Sequence, residues 1–424
     1  MDTTVKLDEQ LWSGLPSMLS ENLLAYLPCS SFFRFRSVCK QWNSLLSCPN
    51  FLKLCTTLPL QTEPCMLFQE HFKPCSHDVD SYRLLHYDPK KGVCSSIDLE
   101  FLKERLEYTF KESGRTKIYA ADGGLLLIST RYRDMQPERL SVCNPLLKSW
   151  RQLPILPSTE TADCCIQELV VDKLTKTYKV IVVVMDNGYE MRYAGRTHVY
   201  DSNYNRWNEI RNHITLHPSE LIDQTIVCGN VIYVMTCLER LIAYDIGSGV
   251  WSEVSVQLPT ASMWRVPQFW NVSHRCLVTS RGRVLLVVHI AHKLPISIAL
   301  WELKIKGTAI PEWKELASTF PPQLDADVFP GVDLDDDWRD HWWWAMGFED
   351  HILVWRNKSR AIVYGETNHI AVWRTKSRAI AIVYDLLQGS WRGSPNTTLP
   401  MEIGQAGYML GRFSVGSLSL GMEA

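Results

Sequence analysis

Residues 15–51 read LPSMLSENLLAYLPCSSFFRFRSVCKQWNSLLSCPNF, and their apolar spacing predicts a set of short helices. Pro16 suits the first turn of a helix, where a missing N–H costs nothing. Four leucines at positions 19, 23, 24 and 27 then share one helical face. Pro28 is expected to end that helix.

Two further helices are predicted in the same stretch. Ser30 or Ser31 can cap the second helix by accepting an orphan backbone N–H. Its apolar side holds Phe32, Phe33, Phe35 and Val38. The third has Cys39, Trp42, Leu45 and Leu46 on one face and is expected to end at Pro49. Three helices this short form a poor independent core, so we expect a partner protein to cover part of the apolar surface.

The spacing of residues 15–51 resembles that of the F-box family. Matching positions are Leu15-Pro16, Leu23-Leu24, Leu27-Pro28, Arg36, Val38-Cys39-Lys40, Trp42, Pro49 and Phe51. Met18 and Ser20 depart from the family pattern, which commonly has an acidic and an apolar residue there. These departures could weaken an adaptor interface.

The resemblance implies that these helices dock on a Skp-type adaptor, which links to a cullin scaffold. Eight residues are expected to divide between that interface and internal packing: Leu15, Pro16, Leu19, Leu23, Leu27, Pro28, Val38 and Trp42. The alternative is that all eight belong to the core of an ordinary helical cap on a second module. The sequence does not decide which face each residue takes.

The rest of the chain is predicted to be all-β. Short apolar runs such as GGLLLIS (123–129), KVIVVVM (179–185) and RVLLVVHI (283–290) have strand length and are bounded by turn residues. Long amphipathic helical patterns do not occur between them, which favours a fold built from strands alone.

A small motif recurs along this region: an apolar or aromatic residue, then Asp or Asn, and a Trp seven residues after the first. Four copies are complete, at Cys143-Asn144 to Trp150, Tyr200-Asp201 to Trp207, Tyr244-Asp245 to Trp251, and Tyr384-Asp385 to Trp391. Partial copies begin at Tyr87 and Trp301. Asp or Asn can bond the backbone of its own turn, and Tyr and Trp supply flat surfaces for packing between sheets. The motif therefore predicts a hairpin.

The six copies begin at residues 87, 143, 200, 244, 301 and 384, a spacing that fits four-stranded propeller blades with long loops. The region resembles the kelch-repeat, galactose-oxidase-like propellers that follow F-boxes in plants. The glycine doublet of that family is intact only at Gly123-Gly124. Six blades are expected, with five or seven as alternatives and a plain β-sandwich as the competing fold.

The predicted organisation is a flexible N-terminus (1–10), an F-box (11–55), a linker (56–62), a kelch-like propeller (63–410) and a C-terminal tail or closing strand (411–424). The last blade holds a duplication: HILVWRNKSRAI (351–362) recurs as HIAVWRTKSRAI (369–380), with ten of twelve residues identical. It is either a recent local duplication or an artefact of the gene model. One copy is expected to be extruded as a loop or to add an edge strand.

Composition and motifs argue against several function classes. The net charge of −2 gives no basic field for nucleic acid, and neither a signal peptide nor a stretch long enough to span a membrane occurs. The 13 cysteines are expected as free thiols in the cytoplasm or nucleus. The acidic run 333–337 lacks the later ligands of a calcium loop, and the Cys and His residues at 65–77 lack zinc-site spacing. No metal, cofactor or catalytic site is predicted.

The expected function is that of a substrate receptor in a Skp-cullin-F-box ubiquitin ligase, which acts by proximity and is not itself an enzyme. The alternatives are a non-degradative adaptor-binding protein that competes with other receptors, and a propeller enzyme with a vestigial F-box. The protein substrate cannot be identified. Candidate recognition segments are 186–196, 262–270 and 331–344, with Trp264, Trp342 and Trp343 as candidate contacts.

Overall fold

A computed structural model describes most of the two modules. The described residues are 16–27, 38–58, 63–69, 83–88, 93–98, 101, 115–131, 139–157, 163–185, 193–217, 220–259, 275–290, 297–305, 310–317, 341–348, 351–358, 380–393 and 414–418. They comprise a short helical module followed by strands, which confirms the predicted fold class.

The helical module contains α1 (Ser17–Ala25), α2 (Lys40–Asn43), a 3-10 turn (Ser44–Ser47) and α3 (Pro49–Thr57). The predicted second helix falls mainly on residues 28–37, outside the described part of the chain. Pro49 does end the preceding turn, but it also begins α3, because a proline at the first helical position loses no hydrogen bond. Helix α3 was not predicted from the sequence, and it continues into the predicted linker.

The strands form six antiparallel sheets of four strands each, numbered here as blades. Blade 1 contains β1 (Glu63–Gln69), β2 (Arg83–Asp88), β3 (Val93–Asp98) and the last strand of the chain, β24 (Ser414–Leu418). Blade 2 contains β4 (Arg115–Asp122), β5 (Leu125–Arg131), β6 (Arg139–Asn144) and β7 (Ser149–Gln152). Blade 3 contains β8 (Asp163–Asp172), β9 (Thr177–Met185), β10 (Tyr193–Asp201) and β11 (Arg206–Leu216).

Blade 4 contains β12 (Ile222–Cys228), β13 (Val231–Thr236), β14 (Leu241–Asp245) and β15 (Val250–Val254). Blade 5 contains β16 (Arg275–Ser280), β17 (Arg283–Ile290), β18 (Ser297–Lys304) and β19 (Glu312–Ala317). Blade 6 contains β20 (His341–Phe348), β21 (His351–Lys358), β22 (Ile380–Asp385) and β23 (Ser390–Gly393).

The blades form a closed ring. The inner strands contact one another in the order β24, β4, β8, β12, β16, β20 and back to β24. β24 pairs with β1 at the inner edge of blade 1, so the C-terminal part of the chain completes the blade that the N-terminal part begins. The described strands therefore form six blades, the expected number.

The core of the propeller lies between the faces of neighbouring blades. Blades 2 and 3 share one buried cluster that includes Leu127, Val142 and Val180. Blades 3 and 4 share a second, which includes Val183 and Val234. The central strands are apolar on both sides because each sheet packs against a neighbour on each face, which explains runs such as KVIVVVM.

Only the first copy of the duplicated stretch is a described strand, β21. Of the second copy, Ile380 alone is described, as the first residue of β22. The prediction that one copy is extruded concerns residues 369–379, which lie outside the described part of the chain.

Candidate functional site

The outward side of helix α1 carries an exposed apolar stripe. Met18, Leu19, Leu23 and Tyr26 lie on this side, and Leu19 and Leu23 keep 47% and 44% of their surface exposed. Val38, at the start of the next described segment, is 63% exposed. Exposed aliphatic and aromatic side chains at this density are typical of an interaction surface.

The opposite side of the helical module is buried against blade 2. Leu24, Leu45 and Phe51 belong to one buried cluster with Leu126 and Ile128 of strand β5. Phe51 of helix α3 has no exposed surface. The propeller thus supplies part of the core that three short helices could not form alone.

The structure divides the eight residues of the expected adaptor interface. Leu19, Leu23 and Val38 are exposed, and Pro16 is exposed at the residue that precedes α1. Leu27 and Trp42 are half-buried and pack against the cluster shared with blade 2. Leu15 and Pro28 lie outside the described residues. Adaptor contact itself stays a prediction for all eight.

The two departures from the F-box pattern have different environments. Ser20 is buried, and its hydroxyl donates to the Pro16 carbonyl at 3.3 Å, so its polar group is satisfied within the helix. Met18 is 74% exposed and extends the apolar stripe. In the sequence Met18 stands out only as a departure, although its spacing from residues 22 and 26 places it on the same helical side.

A polar contact joins the helical module to blade 3. Lys176, in the hairpin between β8 and β9, donates from Nζ to the Leu58 carbonyl at 2.5 Å, just beyond the end of α3. Burial lowers the pKa of the Lys176 ammonium from its usual value. The bond satisfies a carbonyl that the helix end leaves open.

Strand direction defines two faces of the propeller. In blades 2 to 6, the chain passes from the first strand to the second and from the third strand to the fourth at one end of the blade, called here the hairpin face. The helical module lies on this face, because Leu146 and Leu147 of the β6–β7 turn join its buried cluster and Lys176 bonds its last helix. The other connections leave from the opposite end, the loop face.

All three candidate recognition segments are flanked by strand ends at the loop face. Segment 186–196 follows the end of β9, 262–270 lies between β15 and β16, and 331–344 leads into β20. Trp342 and Trp343 are the second and third residues of β20, whereas Trp264 lies outside the described residues. Positions 342 and 343 therefore lie near the end of β20 that faces away from the helical module.

The repeated motif forms the outer hairpin of its blade, as predicted. The first residue and the Trp of each complete copy are directly paired between neighbouring strands: Cys143 with Trp150, Tyr200 with Trp207, Tyr244 with Trp251, and Tyr384 with Trp391. Ring centroids are 5.5 Å apart in the Tyr200–Trp207 pair and 4.8 Å apart in the Tyr244–Trp251 pair. Such tilted aromatic contacts stabilise the pairing beyond simple burial.

The acidic or amide residue of the motif caps its turn. Asn144 Oδ1 accepts from the backbone N–H of Leu146 at 2.9 Å, and Asp385 Oδ1 accepts from Leu387 and Gln388, both at 2.9 Å. Asp245 Oδ1 accepts from Ser248 N–H at 2.6 Å, a bond that lowers the pKa of its carboxyl group. These bonds explain why the position after the aromatic residue is Asp or Asn.

Two motif tryptophans also connect blades, a role that their spacing in the sequence does not indicate. Trp251 of blade 4 donates from Nε1 to the hydroxyl of Thr197 in blade 3 at 2.8 Å. Trp207 of blade 3 donates to the carbonyl of Pro154, which follows blade 2, also at 2.8 Å. An indole ring can both pack in its own hairpin and bond the neighbouring blade, because it combines a large apolar surface with one N–H donor.

The Gly123-Gly124 doublet forms the tight turn between β4 and β5. Both residues have positive φ, +58° and +91°, which glycine adopts without a steric cost. A Cβ on Gly123 would lie 2.6 Å from Cγ1 of Val171 in blade 3. The first glycine is therefore required both by the turn and by the close approach of the next blade.

Half-buried polar residues add further bonds between inner strands. Asp122 accepts from the Val171 N–H at 2.8 Å. Gln224 of β12 donates to the Arg275 carbonyl at 2.8 Å and accepts from Leu277 N–H at 2.6 Å in β16. These residues were missed because a single polar residue in an apolar run carries no signal of a partner some 50 residues away.

The described residues offer no other sign of chemistry. No group of three or more metal-ligating side chains occurs among them, and no described helix is long and apolar enough to cross a membrane. The thiol of Cys165 donates to the Val183 carbonyl at 3.3 Å.

The fold and the exposed stripe define a class of protein, one with an F-box joined to a β-propeller. Family comparison agrees, since residues 12–54 match the F-box domain. Residues 92–332 match the family described as F-box protein At3g26010-like, beta-propeller. The chain belongs to this family of F-box propeller proteins.

Several curated relatives come from Arabidopsis thaliana. F-box only protein 6 is 26% identical over 316 residues, 73% of this chain and 59% of that protein. F-box protein At5g49610 is 26% identical over 265 residues, 59% of this chain and 66% of that protein. F-box/kelch-repeat protein At3g61590 is 24% identical over 72% of each chain. The chain thus spans less than two thirds of the length of the first two relatives.

Solved structures resemble the chain only distantly. YCF48 from Cyanidioschyzon merolae aligns over 80% of this chain and 87% of its own, with 11% identity and a TM-score of 0.38.

Proposed function

We propose that this protein is the substrate receptor of a Skp-cullin-F-box ubiquitin ligase. The F-box would bind the Skp-type adaptor, and the propeller would bind a protein to be ubiquitinated. Such a receptor acts in the cytoplasm or nucleus and performs no bond chemistry itself. It raises the effective concentration of a substrate lysine near the ubiquitin-carrying enzyme.

The observation that carries the proposal is the two-sided environment of helix α1. Leu24 and Ala25 are 4% and 6% exposed against the propeller, whereas Leu19 and Leu23 on the other side are nearly half exposed. A helix that served only as a cap on blade 2 would have no reason to keep a second apolar side in water. A partner that covers Met18, Leu19, Leu23 and Tyr26 removes this cost.

The arrangement of the two faces supports the second half of the proposal. The F-box occupies the hairpin face, so an adaptor bound there leaves the loop face open to a substrate. Loops on a rigid scaffold vary freely in sequence, and for that reason they commonly carry recognition.

The test is a binding measurement with a purified Skp-type adaptor. Leu23→Asp places a charge in the centre of the exposed stripe and should weaken adaptor binding at least about 30-fold, because a buried apolar contact is replaced by an unpaired charge. Leu238→Asp is a matched control, because Leu238 is 50% exposed and lies on the loop face.

The expected result is loss of adaptor binding with Leu23→Asp and unchanged binding with Leu238→Asp. Circular dichroism should show that both variants are folded. Equal adaptor affinities for the unsubstituted protein, Leu23→Asp and Leu238→Asp would refute the assignment of α1 as the adaptor surface. A folded Leu23→Asp variant is expected because the side chain is already exposed to water.

A further inference from the structure

Two leucines of blade 4 are exposed side by side on the loop face. Leu221 lies just before β12 and is 70% exposed, and Leu238 lies in the β13–β14 turn and is 50% exposed. The Cys237 N–H donates to the Leu221 carbonyl at 2.9 Å, and the Leu221 N–H donates to Cys237 Sγ at 3.1 Å. These two bonds hold Leu221 and Leu238, called here the leucine pair, next to each other.

A buried acid fixes the turn that carries Leu238. Glu220 is 3% exposed, and its carboxylate accepts from the Thr236 hydroxyl and from Nη1 of Arg240, both at 2.6 Å. It also accepts from the His217 N–H at 3.1 Å. The two residues at the ends of the turn, Thr236 and Arg240, are therefore tied to one carboxylate just before Leu221.

Two ion pairs tie the same turn to other strands. Arg240 donates from Nη2 to Glu253 of β15 at 3.0 Å, and Arg275, the first residue of β16, donates to Glu239 at 2.5 Å. Glu239 has a φ of +65°, which costs energy for a residue with a side chain. The turn is thus held from blade 4 and from blade 5, so little of its freedom remains to be lost when a partner binds.

The polar bonds hold this turn without any help from the leucine side chains, which are exposed to water. Cys237, between Thr236 and Leu238, is exposed as well. Neighbouring apolar side chains on a rigid, exposed turn are typical of an interaction site. Because only these few adjacent residues are apolar, the surface fits a short segment of a partner better than a broad flat interface.

Acidic groups outnumber basic groups around the leucine pair among the described residues. The two guanidinium groups, of Arg240 and Arg275, are each engaged by a carboxylate. Asp223, two residues after Leu221, is exposed, and Glu253 keeps 55% of its side-chain surface exposed. Four carboxylates against two guanidinium groups leave an excess of two negative charges: Glu220, Asp223, Glu239 and Glu253 against Arg240 and Arg275. This field attracts a basic partner.

We propose that the leucine pair is a docking site for a short linear segment of the substrate, in which apolar residues are flanked by lysine or arginine. This inference rests on the proposed role of the propeller and names the class of substrate that it would bind. The apolar residues of the segment cover Leu221 and Leu238. Its basic residues reach the exposed carboxylates of Asp223 and Glu253.

The position of the site agrees with this role. The leucine pair lies on the loop face, opposite the F-box. The candidate recognition segment 262–270 lies between β15 and β16, and these two strands supply Glu253 and Arg275 to the ion pairs that hold the turn. The docking site therefore adjoins one of the three segments expected to contact a substrate.

A phage-displayed library of random dodecapeptides is the probe. It would be selected on the immobilised full-length protein at low salt, and the enriched peptides would be synthesised and their affinities measured by fluorescence anisotropy. The double variant Leu221→Ser/Leu238→Ser removes the apolar surface without adding charge. Ile155→Ser is the matched control, because Ile155 is 67% exposed and follows β7 on the same face of blade 2.

The enriched peptides are expected to contain apolar residues flanked by lysine or arginine. The double variant should weaken their binding at least about tenfold, because two apolar contacts are lost, and Ile155→Ser should change it less than about twofold. Exchanging the basic residues of a peptide for glutamate should also weaken binding at least about tenfold at low salt, and less at high salt because the charges are screened. Circular dichroism should show that the variants are folded.

Three results would overturn the proposal. One is a selection that enriches no peptide, and another is a set of enriched peptides that bind the double variant as tightly as the unsubstituted protein. The third is a set of peptides that need the leucine pair but tolerate glutamate in place of their basic residues, because that contradicts the assigned substrate chemistry.

Failure of this docking site can be distinguished from failure of the proposed ligase role. Leu23→Asp, which disrupts the adaptor surface, should leave the affinity for the peptides unchanged. A protein that binds the peptides through the leucine pair but does not bind a Skp-type adaptor would contradict only the ligase role. A protein that binds the adaptor but none of the peptides would contradict only the docking site.

Discussion

The hydrogen bond between Trp251 and Thr197 gives a quantitative test of how neighbouring blades are held together. Trp251 is 8% exposed and Thr197 fully buried, and the donor and acceptor atoms are 2.8 Å apart. Thr197→Val leaves the indole N–H without a partner in a buried interface, which should lower the free energy of unfolding by about 1–3 kcal/mol. Trp251→Phe removes the donor and also leaves a void, so we expect it to lower the free energy of unfolding by about 2–4 kcal/mol.

The double variant separates the bond from the packing. Once Trp251→Phe has removed the donor, Thr197→Val strands no further group, so the double variant should lose about 0.5–1.5 kcal/mol less than the sum of the single losses. Trp207→Phe is a useful comparison, because its bond to the Pro154 carbonyl lies at an exposed rim where water can replace it. Its loss should be smaller than that of Trp251→Phe.

The assay is urea unfolding of the full chain followed by far-ultraviolet circular dichroism, which does not depend on tryptophan emission. Additive losses, with a coupling energy within about 0.3 kcal/mol of zero, would refute the assignment of this bond as a link between blades. If Trp207→Phe lowers the free energy of unfolding as much as Trp251→Phe does, the reasoning that a buried hydrogen bond costs more to remove than an exposed one is contradicted.

Three further outcomes follow from the structure. Gly123→Ala should lower the free energy of unfolding by about 1–3 kcal/mol more than Gly282→Ala, measured in urea, because a Cβ meets another blade only at the first site; equal losses would contradict this. Burial raises the pKa of Asp122, so the native state holds its proton more tightly than the unfolded state and stability falls as the pH rises above about 4. Asp122→Asn should therefore flatten the dependence of the urea midpoint on pH, and an unchanged slope would contradict this. Iodoacetamide should label exposed Cys39 well before Cys143, whose thiol pKa is raised by burial. Peptide mapping measures the labelling rate of each cysteine, and equal rates would contradict the burial of Cys143.

The parts of the fold that the sequence predicted are local ones. Asp245 caps its own turn and Trp251 pairs with Tyr244 across it, so the motif is contained in eight consecutive residues and could be recognised from the sequence alone. The blade number followed from counting such motifs. The spacing of leucines in α1 also predicted a helix because the pattern spans only two turns.

The parts that could not be predicted depend on distant partners. Gln224 bonds strand β16 some 50 residues away, and nothing in its neighbourhood indicates this. The division of Leu23 and Leu24 between an exposed and a buried side depends on where blade 2 packs against α1. Pro49 was interpreted only as a helix end, although the same residue type also begins helices.

The proposed function places the adaptor contact on the exposed side of the F-box and not on the propeller. Amide hydrogen exchange of the full chain, measured alone and with a purified Skp-type adaptor, locates the contact without any substitution. We expect slower exchange in α1 (Ser17–Ala25) and around Val38, with the strands of blades 3 to 5 unchanged. Slower exchange at the loop face, with α1 unchanged, would contradict the proposal.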